Sequence, residues 1–527
     1  MFDSVMKKYK RQGYLLLDDL VVANVSNCHL AFCQAVKDPA NPVIKPVEVW
    51  EGNGCTTWGG TILYDEKTER FRMYYSTFEQ GDTHQTSYYR GGAVESVDGI
   101  NWERPYRHET IYKGIPTKYY VHMEGDDLGP CGPEAVYDPR PECPPSEKYK
   151  SLTLRRFIGG VIMRCSADGI DWHNWSEEPI WYACSDIIHP FWDEKRNKFV
   201  CYYKLWKLYA EEKDESAPGG FKSMTALTYG GITTQDKDDG TTEISGSFVE
   251  LHPESKAEIV EKTFVVRSGP LGEDDGGGSQ LSGAWYMRRV VHWAESDDFI
   301  HWEHEQEVLD TDELDRPTSN IQLAQVFQMG GYYLAFLNVH DERGHFDQQL
   351  AYSHDGIHWK RPWRGNVLGV GAPGQFDAGM AAGMQPPIVT ESQMIMYYGG
   401  YADGHSGDPG AIGIGRATMR KDGFACWKTY GEQIGTLETV VLSKKEDALY
   451  LNIDSEAGWI TAALLDENGN VLSGYNHADC EAIRADSASH INCVIPVSWN
   501  GKTGLPSIDK VKVQLRFQNT SVYSVII

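Results

Sequence analysis

One short pattern limits this chain more than any other feature: Ser-x-Asp-Gly-x-x-Trp. It occurs as Ser96-Val97-Asp98-Gly99 with Trp102, as Ser166-Ala167-Asp168-Gly169 with Trp172, and as Ser353-His354-Asp355-Gly356 with Trp359. Ser296-Asp297-Asp298-Phe299 with Trp302 lacks the glycine, and Asp422-Gly423 with Trp427 is a looser copy with its Trp one position late. Asp-Gly lets the backbone enter the left-handed region while the Asp and Ser oxygens accept turn amides. The Trp then opens the returning strand and packs its ring on neighbouring structure. The aspartates are spaced by 70, 130, 57 and 67 residues, so one interval carries an insertion.

A second repeat interleaves with the first: an apolar strand, a polar turn and an aromatic-rich strand. Its copies run from Ile62-Leu63-Tyr64-Asp65 to Phe71-Arg72-Met73-Tyr74-Tyr75, and from Ala135-Val136-Tyr137-Asp138 to Tyr149-Lys150-Ser151-Leu152. Next come Pro190-Phe191-Trp192-Asp193 to Phe199-Val200-Cys201-Tyr202-Tyr203, Gln325-Val326-Phe327 to Tyr332-Tyr333-Leu334-Ala335-Phe336, and Pro387-Ile388-Val389 to Met394-Ile395-Met396-Tyr397-Tyr398. Each precedes one Asp-Gly hairpin, which gives about four strands per unit. Four-stranded units repeated radially make a β-propeller. The expectation is an all-β chain: a five-bladed β-propeller over residues 1–430, followed by a C-terminal β-sandwich over residues 436–527. The second part is read from alternation at Leu449-Tyr450-Leu451-Asn452-Ile453 and Val511-Lys512-Val513-Gln514-Leu515-Arg516-Phe517, with a hairpin turn at Asp466-Glu467-Asn468-Gly469-Asn470. The insertion spans about residues 209–281 and reads as a mobile surface excursion with one short helix from Ser255, its alternatives being a lid or an oligomer contact.

The formal charge of −26 on 527 residues argues against a nucleic-acid binder or an anionic-membrane protein. No stretch approaches the roughly 20 apolar residues of a membrane span. Lys7, Lys8, Lys10 and Arg11 are followed by no apolar core, so a signal peptide is not expected. Eleven cysteines without a CxxC pair exclude a zinc ribbon and suit free thiols in a reducing, cytoplasmic setting.

The chain resembles the five-bladed propeller glycoside hydrolases, the invertase/levanase and arabinanase/xylosidase relatives, and most closely a broad group of bacterial invertase-like proteins. The residues that carry the likeness are Asn41-Pro42-Val43-Ile44 before Trp50-Glu51, the Asp-Gly-x-x-Trp hairpins, and Ser185-Asp186 before Phe191-Trp192-Asp193. Gly374-Gln375-Phe376-Asp377, Gly415-Arg416-Ala417-Thr418 before Asp422-Gly423-Phe424, and the tail Gly474-Tyr475-Asn476 with Asp479-Cys480 and Val522-Tyr523-Ser524 complete it. The Trp-Met-Asn-Asp-Pro-Asn-Gly nucleophile motif, the Arg-Asp-Pro motif and a clear Glu-Cys acid motif of invertases are absent. Their catalytic residues therefore do not transfer onto this chain.

In a propeller the innermost strands converge on a central funnel, so the windows just before each unit's first strand should carry the chemistry. They offer Glu51 with Trp50 and Trp58; Glu124, Asp126, Asp127 and Glu134; Asp186 and His189; Asp312, Asp315 and Asn320; and Asp377. Glycoside hydrolysis needs one acid to protonate the leaving oxygen and a second carboxylate to attack or to activate water. Asp127, Asp186, Asp377 and Glu51 are the catalytic candidates; Trp58, His189, Asp315 and His345 are the substrate-binding ones. Adjacent Asp126 and Asp127 point opposite ways in a strand, which leaves one to face the funnel. For each carboxylate the competing role is a turn cap or structural acid, for His189 a hydrogen-bonded core histidine, and for Trp58 the core.

The segments His340-Asp341-Glu342-Arg343-Gly344-His345 and His405-Ser406-Gly407-Asp408 match no closed zinc pattern. No cofactor is expected, with a structural Ca²⁺ in the central channel the one metal that the Asp and Asn content would suit. The reading is an exo-acting glycoside hydrolase on small oligosaccharides, furanosides (fructosyl or arabinosyl) first, with a homo-oligomer compatible. One alternative is a glycoside phosphorylase of the five-bladed mannoside type, with Arg155-Arg156 and Arg288-Arg289 as candidate phosphate ligands. The other is a non-catalytic carbohydrate-binding propeller, which apolar or amide residues lining the funnel would favour.

Overall fold

The computed structural model describes residues 2–3, 13–79, 88–124, 134–154, 161–181, 187–213, 221–226, 233–237, 241–251, 257–267, 280–281, 285–315, 319–340, 346–404, 412–455, 458–484 and 494–527. Among these the chain is all-β. Its helical turns are the 3₁₀ segments Val49–Glu51 and Pro145–Glu147, and no helix is long and apolar enough to cross a membrane.

The strands fall into antiparallel groups that follow the two sequence repeats. The first joins Gly54–Asp65, Arg70–Glu79 and Tyr88–Ser96, with a bridge from Glu95 to Glu103. The second joins Glu134–Tyr137, Tyr149–Leu154, Val161–Ser166 and Asp171–Asn174. In the third, Ile188–Asp193, Lys198–Lys213, Trp285–Ser296 and Glu303–Leu309 pair in turn. The fourth is Asn320–Met329, Tyr332–His340, Phe346–Ser353 and Trp359–Lys360. The fifth is Ile388–Val389, Gln393–Tyr401 and Ile412–Arg420, and its outer strand is Val36–Lys37 from the far end of the chain.

Neighbouring groups pack in chain order and the sheet curls. Glu134–Tyr137 lies against both Gly54–Asp65 and Ile188–Asp193, and the latter lies against Asn320–Met329. Parallel bridges join Phe346 to Met380 and Ile412 to Gly54, so the fourth group meets the fifth and the fifth meets the first. Apolar residues on both faces of each group build separate cores between neighbours, such as Tyr74, Ala93, Ala135, Tyr149 and Trp172 between the first and second.

The repeated turns explain the packing. In Ser96, Ser166, Ser296 and Ser353 the hydroxyl oxygen accepts the amide of the third residue on, at 2.9 Å each. The Asp side chain accepts the next two amides, as Asp98 does from Ile100 and Asn101 at 2.8 Å. Gly99, Gly169 and Gly356 take φ of 71°, 75° and 78°, and Phe299 takes 73°. Two of the turn tryptophans, Trp172 and Trp359, donate back to the turn glycine carbonyl at 3.1 Å. The looser copy differs: Asp422 sits in a turn at φ 56° and its buried carboxylate accepts the Ser524 hydroxyl at 2.5 Å instead of capping amides. The chain after it, Ala425–Thr429, leaves the group to pair with Cys28–Phe32 and with Val522.

The C-terminal residues form two further sheets that share one apolar cluster, with Leu451, Ile453, Val522 and Val525 on one sheet and Leu437, Ile460, Val513 and Phe517 on the other. Strands from the beginning of the chain belong to both: Val22–Ser26 pairs with Gly435–Thr439, Tyr14–Leu15 with Ser521–Ile526, and Cys28–Phe32 with Ala425–Thr429. The same cluster continues into the fourth and fifth groups through Tyr332, Phe336, Met396 and Tyr398.

The insertion corrects one expectation. It is strand-rich: Lys198–Lys213 pairs with Phe221–Ala226, and Thr241–Leu251 pairs with Ala257–Arg267. Where a short helix was expected from Ser255, residues 257–267 are a strand. Five residues of this strand are β-branched (Ile259, Val260, Thr263, Val265 and Val266), which favour extended backbone over helix.

Candidate functional site

Glu134 and His189 stand on the first strands of the second and third groups and come together. Both side chains are about 95% buried, at 6% and 5% exposure. His189 Nε2 lies 3.0 Å from the Val326 carbonyl oxygen, which can only accept, so Nε2 carries a proton. The other ring nitrogen, Nδ1, then faces Glu134 Oε2 at 3.6 Å, and neither atom has a hydrogen-bond partner among the described residues. The two buried polar atoms thus face each other across a gap that no described donor fills. Burial pushes the Glu134 carboxyl above its ordinary range, and the nearby His189 ring offsets part of that rise.

A second polar assembly joins the fourth, fifth and first groups through amides. Gln348 Nε2 donates to Asn338 Oδ1 and, at 2.8 Å, to the Ala381 carbonyl. Asn338 Oδ1 also accepts the Gly383 amide at 3.1 Å. The Thr57 hydroxyl donates to the Gly383 carbonyl at 2.8 Å, and Gln385 Nε2 to the Thr57 carbonyl at 3.0 Å. Gly383 has φ 61°, and a Cβ there would press on the Trp58 backbone at 3.1 Å, so glycine is required where these strands meet.

Next to this, a row of rings and a cation crosses from the first group to the third. Trp58 packs edge-on against Phe346 at 5.5 Å, and Phe346 stacks on His340 at 4.3 Å. His340 Nδ1 is 3.3 Å from the buried Arg289 guanidinium, and the Arg289 amide donates to Asn320 Oδ1 at 2.8 Å. Trp58 keeps partial exposure in an aromatic cluster with Tyr401.

The other candidates separate from this centre. Glu51 is fully buried, and its carboxylate accepts the Val47 amide at 2.5 Å, the Glu48 amide at 2.8 Å, the Tyr75 hydroxyl at 2.6 Å and Arg104 at 3.1 Å. With its lone pairs so engaged it clamps the 3₁₀ turn and has none left for a sugar. Asp377 is equally withdrawn: Lys37 Nζ lies at 2.5 Å and the Tyr398 hydroxyl at 2.8 Å, which makes it the anchor of the N-terminal segment. Asp315 receives both arms of Arg361 at 2.7 and 2.8 Å, Arg364 at 3.2 Å and the Asp312 amide at 2.9 Å. Burial alone would raise its carboxyl, but the Arg361 fork outweighs it and holds the group below the usual range. A side chain so forked is part of a buried ion pair with Arg361. Asp127, Asp186 and His345 lie outside the described residues, as do Arg155 and Arg156.

Sequence reasoning placed Glu134, His189 and Asn320 among the first-strand windows but did not pair them. It passed over Asn338, Gln348 and Gln385, whose amides meet only through the fold. Asp18, Asp19 and His354 also converge, yet Lys360 Nζ at 2.5 Å from Asp18 already supplies the cation, so this is an ion-pair network.

No protein-family model matches the sequence, and no curated protein matches it. Solved structures that resemble the chain include one titled a glycoside hydrolase, at 12% identity and TM-score 0.43, covering 74% of this chain and 92% of that one. An arabinoxylan arabinofuranohydrolase of glycoside hydrolase family 43 from Bacillus subtilis, in complex with cellotetraose, aligns at 10% identity and TM-score 0.25, covering 93% and 98%. A GH32 β-fructofuranosidase from Bombyx mori in complex with sucrose aligns at 10% identity and TM-score 0.32, covering 92% of each chain. At such identities and scores these likenesses assign no family to the chain.

Proposed function

We propose that the strand groups are the five blades of a propeller, that the C-terminal sheets form a β-sandwich, and that the inner wall is the site of a glycoside hydrolase acting on short oligosaccharides. The observation that carries this reading is the buried carboxyl of Glu134 facing the His189 ring on adjacent inner strands. Hydrolysis needs a carboxyl with a raised pKa to donate a proton to the leaving oxygen, and burial moves Glu134 in that direction. His189 beside it returns a proton to the carboxylate after donation. The second carboxylate comes from Asp127 or Asp186, which stand in sequence just before the two strands that carry the pair. Trp58 offers a ring face to a sugar. No cofactor takes part, and the enzyme works in the cytoplasm.

The test is a screen of nitrophenyl glycosides and short oligosaccharides, fructosyl and arabinosyl furanosides first, with and without phosphate and EDTA. Glu134→Gln should lower kcat/KM by about 10²–10⁴-fold on any responsive substrate. Activity should fall as pH rises through the raised Glu134 value, because the donor must be protonated. Full turnover by E134Q, or by both D127N and D186N, would end the assignment of roles. Arg289 beside His340 favours one further reading, a phosphorylase, and strict dependence of turnover on inorganic phosphate would select it. The amide-rich contacts of Asn338, Gln348 and Gln385 favour a binding module, which saturable sugar binding without turnover would select.

A further inference from the structure

Cys33 and Cys426 meet where the N-terminal segment crosses from the C-terminal sheets to the fifth strand group. Ala425 stands opposite Phe32, Cys426 stands opposite Ala31, and the Cys33 amide donates to the Phe424 carbonyl at 2.9 Å. Alternation along both strands puts Cys33, Ala31 and Cys426 on one face, with the two cysteines diagonal neighbours. Both thiols are free, and each shifts the ionisation of the other. On the other side of Cys426, Trp427 pairs with Val522, which sets Tyr523 beside it. The Tyr523 and Ser521 hydroxyls and the charge of Lys428 favour the ionised form of the Cys426 thiol. The Arg420 guanidinium lies 4.8 Å over the Tyr523 ring. The Cys33 thiol brings the Cys426 thiol down to about 7 against the effect of burial. Cys426 is buried while Cys33 is half-buried, so a small oxidant reaches the pair from the Cys33 side. Thiolate character, nearby cations and an adjacent second thiol are what a redox-responsive site needs.

We propose that Cys33 and Cys426 are a peroxide-sensitive thiol pair whose disulfide fastens the N-terminal segment to the body of the protein. The thiolate attacks one oxygen of hydrogen peroxide; the O–O bond breaks, the sulfur becomes a sulfenic acid, and the departing hydroxide takes a proton to leave as water. The second thiol then attacks the sulfenic sulfur; the S–S bond forms, the S–O bond breaks, and a second water leaves. The two sulfurs together lose two electrons and the peroxide gains them. The consequence is mechanical. Cys33 lies between Cys28–Phe32 and Val36–Lys37, so the bond fixes the stretch that supplies the outer strand of the fifth group.

The test uses the full chain with a small excess of hydrogen peroxide, then alkylation, digestion and mass spectrometry without reductant. The expected result is loss of two thiols per chain, a linked peptide pair containing Cys33 and Cys426, and reversal by dithiothreitol. Oxidised protein should unfold about 3 °C or more higher than reduced protein, a shift that Cys33→Ser abolishes and Cys480→Ser leaves intact. Peptide mapping of the unsubstituted chain decides the matter even where a variant does not fold. Both cysteines alkylated as free thiols after peroxide, or overoxidised singly without a linked peptide, would overturn the proposal.

Discussion

A carboxylate at a turn and a carboxylate at a reaction centre are told apart by what already fills their lone pairs. Asp98, Asp298 and Asp355 each accept two backbone amides and a serine hydroxyl, and the ring of His301 or His358 adds a bond to the latter two. Burial opposes the ionised form, but these donors outweigh it; Asp298 falls to about 2, and Asp98 and Asp355 fall further. A lowered folded value means that the turns add stability above the unfolded value of about 3.9 and lose it as pH falls through the folded one. The urea midpoint of the protein should therefore drop between about pH 4 and pH 2, and Asp298→Asn should flatten part of that drop. An unchanged pH slope in the variant would refute the role of the turn. These turns were legible in the sequence because the bonds that cap them are made within three residues of the motif serine or aspartate. The fates of Glu51, Asp377 and Asp315 were not, because Arg104, Lys37 and Arg361, which neutralise them, are 53, 340 and 46 positions away.

At the scale of strands, the aromatic pairs latch one group to the next. Counting three residues on from the residue opposite each motif serine reaches Tyr74, Leu152, Tyr202 and Phe336, and Tyr397 holds the corresponding place in the fifth group. Tyr74 donates its hydroxyl to the Gly169 carbonyl at 2.8 Å, Tyr202 to Gly356 at 2.6 Å and Tyr397 to Gly99 at 2.6 Å, each in the turn of the next group. Leu152 and Phe336 have no hydroxyl, and there the facing turns present a phenylalanine instead. Phe299 joins Leu152 in one apolar cluster, and Phe424 lies 6.1 Å from Phe336. The missing glycine in the third copy of the motif is thus a packing solution, with the ring volume offsetting strained φ at Phe299. The aromatic-rich strands could be read from the sequence; that alternate tyrosines and phenylalanines form latches could not, because the partner turn is on another group. Tyr397→Phe leaves the buried Gly99 carbonyl without its donor and should cost about 1–3 kcal/mol in chemical denaturation. The same change at Tyr398, whose hydroxyl serves Asp377 and Asn41, should act through the N-terminal segment instead.

For the whole molecule the decisive contacts are those that return the first forty residues to the last hundred and fifty. Tyr14–Leu15, Val22–Ser26 and Cys28–Phe32 join the C-terminal sheets, and Val36–Lys37 completes the fifth strand group beside Ala417 and Thr418. Nothing local in these short strands names a partner some four hundred residues away, which is why a boundary near residue 430 was the natural reading of the sequence. The Lys37–Asp377 pair is the charged pin of this return. Asp377 is almost wholly buried, whereas Lys37 keeps about a quarter of its side-chain exposure. Removing the lysine leaves a buried carboxylate with the Tyr398 hydroxyl as its remaining side-chain donor, so Lys37→Met should cost about 2–3 kcal/mol. Asp377→Asn removes the charge that needs compensation and should cost less. The double variant K37M/D377N should then be more stable than K37M alone, because the second change relieves the charge the first one stranded. Chemical denaturation of the four proteins in the cycle measures this coupling, and purely additive losses would show that the pin carries no charge-specific energy. If the coupling appears, the outer strand of the fifth group is held in place by a charge pair that joins residues 340 positions apart.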